Sequence, residues 1–150
     1  MRKSSRSSSA AGHGPALADT GIVYALLDRS DAWHERARIG WERRADAIAV
    51  PAPVIVEVCQ LLAYRVGPRA EEGFLASVAK GEFPTAALEP EDYARAAELV
   101  GVYADLPLGF VDGSVVALAE RLDVETVLTT DRRHFSVVRP RHRERLRLEP

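Results

Sequence analysis

Apolar runs too short to be helices recur along the chain, and each is separated from the next by a stretch of helical periodicity. The runs cover residues 16–18, 47–50, 85–88 and 126–130, with residues 136–139 as a short last candidate. Helices are predicted between them, over 20–27, 32–44, 53–66, 69–80, 91–104 and 112–122. Gly67-Pro68 stops the third, Gly81 ends the fourth and Pro90 opens the fifth. Strands joined through helices of this length cannot form hairpins. They pair in parallel through crossover connections, which gives an α/β fold. A parallel sheet is covered on both faces, so its strands read as continuous apolar runs rather than alternating ones. Leu17, Ile48 to Val50 and Val127-Leu128 fit that requirement.

At 150 residues, 47% hydrophobic and 28% charged, the chain has the length and make-up of one globular domain with a core of its own. Residues 15–150 are read as that domain, ending in a basic tail. Residues 1–14 are rich in Arg, Ser and Ala and lack the apolar centre of a signal peptide. They are read as a disordered arm, or as upstream sequence from an early start codon. No apolar run reaches transmembrane length, so no membrane association is expected. The single cysteine, Cys59, lies in the apolar run Val54-Ile55-Val56-Glu57-Val58-Cys59 and reads as a core residue. It leaves no internal disulfide, which fits a reducing cytoplasm.

The formal net charge of −2 hides an asymmetry. Residues 82–131 carry eleven acids against Arg95 and Arg121, whereas residues 132–150 carry seven arginines against Glu144 and Glu149. The pattern suits a cation site beside an anion site, or two ordinary solvated surfaces.

Ligands of open parallel sheets bind at the carboxyl ends of the strands. Asp19 follows the first predicted strand there, and Asp131 follows Thr126-Val127-Leu128-Thr129-Thr130. Asp112 opens a helix after Leu108-Gly109-Phe110-Val111. Each of the three also suits a helix cap. Glu57 interrupts an apolar helix. With Gln60 and Tyr64 it makes a polar stripe that faces either solvent or a polar cleft. Two carboxylates about 5 Å apart at an effective dielectric of about 20 repel by roughly 3 kcal/mol. Four converging acids therefore need a cation, or some of them must hold protons. Mg²⁺ suits such oxygen donors and can activate water at a phosphoryl centre.

Four stretches in order resemble the PIN domain, and within it the VapC toxin ribonucleases of bacterial toxin–antitoxin pairs. They are Leu17-Ala18-Asp19-Thr20, Val54-Ile55-Val56-Glu57-Val58, Gly109-Phe110-Val111-Asp112 and Leu128-Thr129-Thr130-Asp131-Arg132-Arg133-His134-Phe135. The resemblance spans residues 16 to about 139. It implies a PIN-like five-stranded parallel sheet flanked by helices, and a Mg²⁺- or Mn²⁺-dependent endoribonuclease acting on single-stranded RNA. Asp19, Glu57, Asp112 and Asp131 match the family's acidic quartet. Asp19, Asp112 and Asp131 are the implied metal ligands, and Glu57 would hold a metal-bound water or a second metal. The implied products carry a 5′-phosphate and a 3′-hydroxyl. A cognate antitoxin, a homodimer and a bacterial cytoplasm are implied as well. Gly21 departs from a frequent serine and Gly113 from a frequent alanine.

Thr20 and Thr129 are candidates to orient the pocket, or to bond local backbone. Arg132, Arg133 and the arginines at 139, 141, 143, 145 and 147 are candidates for RNA phosphates, or a solvated tail. His34, His134 and His142 have no metal-ligand spacing and read as surface or packing residues. Trp33, Trp41, Phe74 and Tyr103 read as core or dimer interface. The competing reading is a catalytically silent PIN-like module that binds RNA or a partner protein. A phosphoacceptor receiver would want adjacent acids after the first strand and a lysine near the last. A haloacid-dehalogenase-type phosphatase would want Asp-x-Asp. Asp19-Thr20-Gly21 supplies neither acidic pattern, and the only lysines are Lys3 and Lys80.

Overall fold

The computed structural model describes residues 14–150. Of the predicted N-terminal arm, only Gly14 falls within that range. The elements run β1 (Ala16–Ala18), α1 (Thr20–Leu27), α2 (His34–Glu42), a 3-10 turn (Ala45–Ala47), β2 (Ile48–Pro51), α3 (Ala52–Arg65), α4 (Pro68–Ala79), β3 (Thr85–Ala86), α5 (Pro90–Val102), α6 (Phe110–Arg121), β4 (Thr126–Leu128), α7 (Arg132–Val137) and β5 (Arg147–Glu149). The five strands form one parallel sheet in the order β3-β2-β1-β4-β5. As the apolar runs require, β1 and β4 are buried at every residue. Leu17, Val50, Val127 and Leu128 meet Ile22, Val54, Val58, Val115 and Leu118 from the helices in one core. Cys59 is buried in that core, and its thiol is pushed up by burial. Among the described residues, no helix is long and apolar enough to cross a membrane.

The end of the chain departs from expectation. Residues 136–139 are not a strand: Arg132–Val137 is a helix, capped by Asp131, whose Oδ1 accepts from Arg133 N at 2.9 Å. The fifth strand comes later, at Arg147–Glu149, in parallel register with β4. Nor is the tail a free basic surface. Arg141 pairs with Glu98, while Arg143 reaches Asp123 and Glu125. Arg147 also lies near Glu125. Part of the basic tail thus lies against the acidic block, through three of its seven arginines. In the reverse sense, the buried Arg44 grips Glu149 through two bonds, at 3.0 and 2.9 Å, and locks β5 to the turn before β2.

The strand order places the site. From β1 the chain steps outward to β2 and β3, then crosses back to β4 on the other side of β1. Between β1 and β4 the direction of winding reverses, and a crevice opens beyond their carboxyl ends. Asp19 and Asp131 lie just past those two ends.

Candidate active site

Asp19 is the N-cap of α1. Its Oδ1 accepts from Ile22 N at 3.0 Å, and its Oδ2 accepts from the Thr129 hydroxyl. Thr129 is itself held in place, since its Oγ1 accepts from Asp131 N at 2.9 Å. Asp19 therefore both caps a helix and lines the cleft. Asp112 does not cap. Helix α6 starts at Phe110 rather than at Asp112, with Gly109 as its cap, so Asp112 sits in the first turn. A carboxylate there is favoured by the positive end of the helix dipole.

All four predicted acids line one cavity of about 390 Å³. Thr20, Gly21, Tyr24, Asp31, Arg65, Thr130 and His134 are also on its wall. The acids are graded in depth: Asp19 is 5% exposed, the Asp112 side chain 28% and the Asp131 side chain 57%. Burial pushes the Asp19 carboxyl up to about 7, against the hydrogen bonds from Thr129 and Ile22, while Asp112 and Asp131 add to the rise. Burial also raises Asp112, His134 opposes that rise, and Glu57 and Asp131 add to it. The acids feel one another across the cavity, and the deepest is held near neutrality.

Glu57 is half-buried, whereas Gln60 and Tyr64 are exposed. The stripe therefore splits: Glu57 lines the acidic cavity, Gln60 lines only the neighbouring groove, and Tyr64 faces solvent. Thr20 is buried on the cavity wall and its hydroxyl has no partner. Thr129 is not on the cavity wall and reaches the site through its hydroxyl's bond to Asp19. Arg132 and Arg133 are exposed and lie off the cavity wall, and Arg132 donates to the Pro150 carbonyl.

His134 is the residue that the sequence reading placed wrongly. It is a cavity residue, with Nδ1 3.1 Å from Asp112 Oδ2 and 3.7 Å from Asp131 Oδ2. Its spacing from Asp131 (i, i+3) is the available signal, and it carries meaning only once residues 132–137 form a helix rather than the approach to a strand. His34 and His142 are packing residues, bonded to the carbonyls of Ala25 and Val124 at 2.7 Å each. Gly21 has a physical reason. A Cβ there would overlap the Thr130 hydroxyl, so the glycine leaves room for a hydroxyl carried by β4's end rather than by α1. At Gly113 a Cβ would make ordinary contact with Ala96, so nothing in the packing demands a glycine.

Among the described residues, no three His, Cys, Asp or Glu side chains stand close enough to grip an ion directly. The donor set still fits a hard cation that keeps several of its waters. It offers carboxylates of graded depth, two of them raised in pKa chiefly by burial, and the unpartnered Thr20 hydroxyl beside Asp19.

The model of the PIN domain family matches residues 16–139. Ribonuclease VapC26 of Mycobacterium tuberculosis is 36% identical over 124 residues, covering 83% of this chain and 92% of that protein. Among solved structures, M. tuberculosis VapC20, a Sarcin-Ricin loop cleaving toxin, superposes with a TM-score of 0.69 at 21% identity, covering 75% of this chain and 86% of that one. VapBC2 of Rickettsia felis, bound to a DNA fragment from its promoter, gives 0.63 at 14% identity, covering 89% and 96%. These two structural likenesses concern the fold alone.

Proposed function

Because this chain belongs to the PIN-domain family, as a homologue of the VapC ribonucleases, we propose that it is a metal-dependent endoribonuclease cleaving single-stranded RNA. The observation that carries the reading is the convergence of Asp19, Glu57, Asp112 and Asp131, from four separate elements, on one cavity.

Asp19, Asp112 and Asp131 would hold Mg²⁺ or Mn²⁺, directly or through water. When bound, the cation supplies an activated water and offsets the charge of the phosphoryl transition state. The chain's own residues arrange this. Thr129 fixes the Asp19 carboxylate from behind. His134 orients Asp112 and stands between it and Asp131. Glu57, carried by α3, would orient a water at the cleft. Burial of Asp19 makes its ionised form costly unless a cation is present, which couples the ionised site to metal loading.

The toxin role in a toxin–antitoxin pair, with a small antitoxin as inhibitor, rests on the VapC relatives and on solved toxin–antitoxin complexes of the same fold. A homodimer is part of the same proposal. Its interface is assigned to the groove flanking Glu57, where Val56, Tyr93 and Phe110 are exposed and the two aromatic rings stack at 5.9 Å.

The test is cleavage of a single-stranded RNA with Mg²⁺. Asp19→Asn and Asp112→Asn abolish it while the circular dichroism spectrum stays native. Full cleavage in excess EDTA overturns the reading.

A further inference from the structure

Helix α3 carries more of the cavity than Glu57. Leu61 and Arg65 follow at steps of four and line the same cavity, so α3 presents one face to the cleft along its last two turns. Arg65 lies about 12 Å along the helix axis from Glu57. Among the described residues it is the only arginine or lysine on that wall. Most other cavity-wall charges are acidic: Asp19, Asp31, Glu57, Asp112 and Asp131.

Arg38, Arg44, Arg95, Arg121, Arg141, Arg143 and Arg147 pair with carboxylates, and none of these seven lies on the cavity wall. Arg65 makes no such pair among the described residues. Its guanidinium instead lies over the Tyr24 ring, 5.1 Å from the centroid, and the Tyr24 hydroxyl is fixed by Asp28 at 2.6 Å. Arg65 also shares a side-chain hydrogen bond with Tyr24, which fixes the guanidinium further, and a planar fork of five N–H donors leaves the others to match phosphate oxygens. An acidic cleft repels a polyanion. A strand entering it needs a cationic contact beside the scissile position.

We propose that Arg65 is a substrate-binding residue that holds an RNA backbone phosphate flanking the one at the acid cluster, with Tyr24 as its positioning residue. This rests on the ribonuclease reading above. The experiment is fluorescence anisotropy of a labelled single-stranded RNA oligonucleotide with the full chain carrying Asp112→Asn, in Mg²⁺, over a range of salt. Adding Arg65→Gln weakens binding about tenfold at low salt and lowers the slope of log affinity against log salt by about 0.7, the share of one phosphate contact on a single strand. Arg65→Lys keeps the slope, because it keeps the charge. A loss of affinity with an unchanged slope would mean a merely structural role, and it overturns the proposal. So does unchanged binding by Arg65→Gln. Failure of the Asp112→Asn parent to bind RNA, with no cleavage by the unsubstituted chain, overturns the underlying reading as well.

Discussion

His134 Nδ1 lies 3.1 Å from Asp112 Oδ2, and this contact joins the first turn of α6 to the helix that follows β4. It makes the orientation of one acid depend on a residue far along the chain. His134→Ala is expected to lower the cleavage rate about tenfold, and Asp112→Asn to abolish it. The double variant should be no worse than Asp112→Asn alone, because residues acting as a unit are not additive. Single-turnover rates read all three. A further loss in the double variant would show that His134 acts independently of Asp112.

Asp19 gives the protein a pH-dependent stability of defined sign. Its folded pKa is raised from 3.8 to about 7, so between those values the folded chain binds the proton and the unfolded chain does not. The stabilisation is complete below about 4 and is lost as pH rises towards about 7. In EDTA, Asp19→Asn should therefore raise Tm by several degrees at pH 8 and by little at pH 4. Mg²⁺ should raise the Tm of the unsubstituted chain at pH 8 and leave Asp19→Asn nearly unmoved. Thermal denaturation followed by circular dichroism measures both, and a Tm lowered by Asp19→Asn at pH 8 in EDTA contradicts the assignment.

Gly21 and Thr130 share one space. Gly21→Ser should cost about 1–3 kcal/mol, since the stiff β-branched threonine must leave its rotamer. Thr130→Ala should remove most of that cost when the two are combined. Urea denaturation of the four proteins in the cycle supplies the coupling, and additive costs would sink the idea.

The C-terminal strand is structural. Arg44→Ala breaks a pair whose arginine side chain is 3% exposed, and should cost about 2–4 kcal/mol in urea denaturation. Removing everything after Arg139 should expose the β4 edge and destabilise the whole fold. A truncated chain with native stability would return the tail to the status of a loose basic segment.

The fold class was legible because it depends on local patterning. Short apolar runs between helical stretches leave few alternatives to a parallel sheet: β1 fills 16–18 as the pattern requires, and β4 fills the first three residues of the 126–130 run. Errors gathered where local signals were weak. Arg147–Glu149 is a strand only because β4 offers it a ladder and Arg44 grips its glutamate, and neither is visible in its own sequence. Phe110-Val111 resembles a loop in sequence, which makes Asp112 look like a cap, whereas the helix starts at Phe110 with Gly109 as its cap.

The sequence by itself determined which acids the protein carries, in what order, and at the ends of which elements. It also determined the parallel sheet, since the length of a crossover is a property of the chain. Tertiary structure alone decided that the four acids share a cavity, how deeply each is buried, and that His134 and Arg65 join them. Side chains meet across a crevice only when distant segments pack. Burial, which sets the protonation of Asp19, belongs to the packed whole and not to any stretch of chain. Just as much a matter of packing is His134: at i+3 from Asp131 it could be any helix-surface residue until α6 brings Asp112 to within 3.1 Å of it.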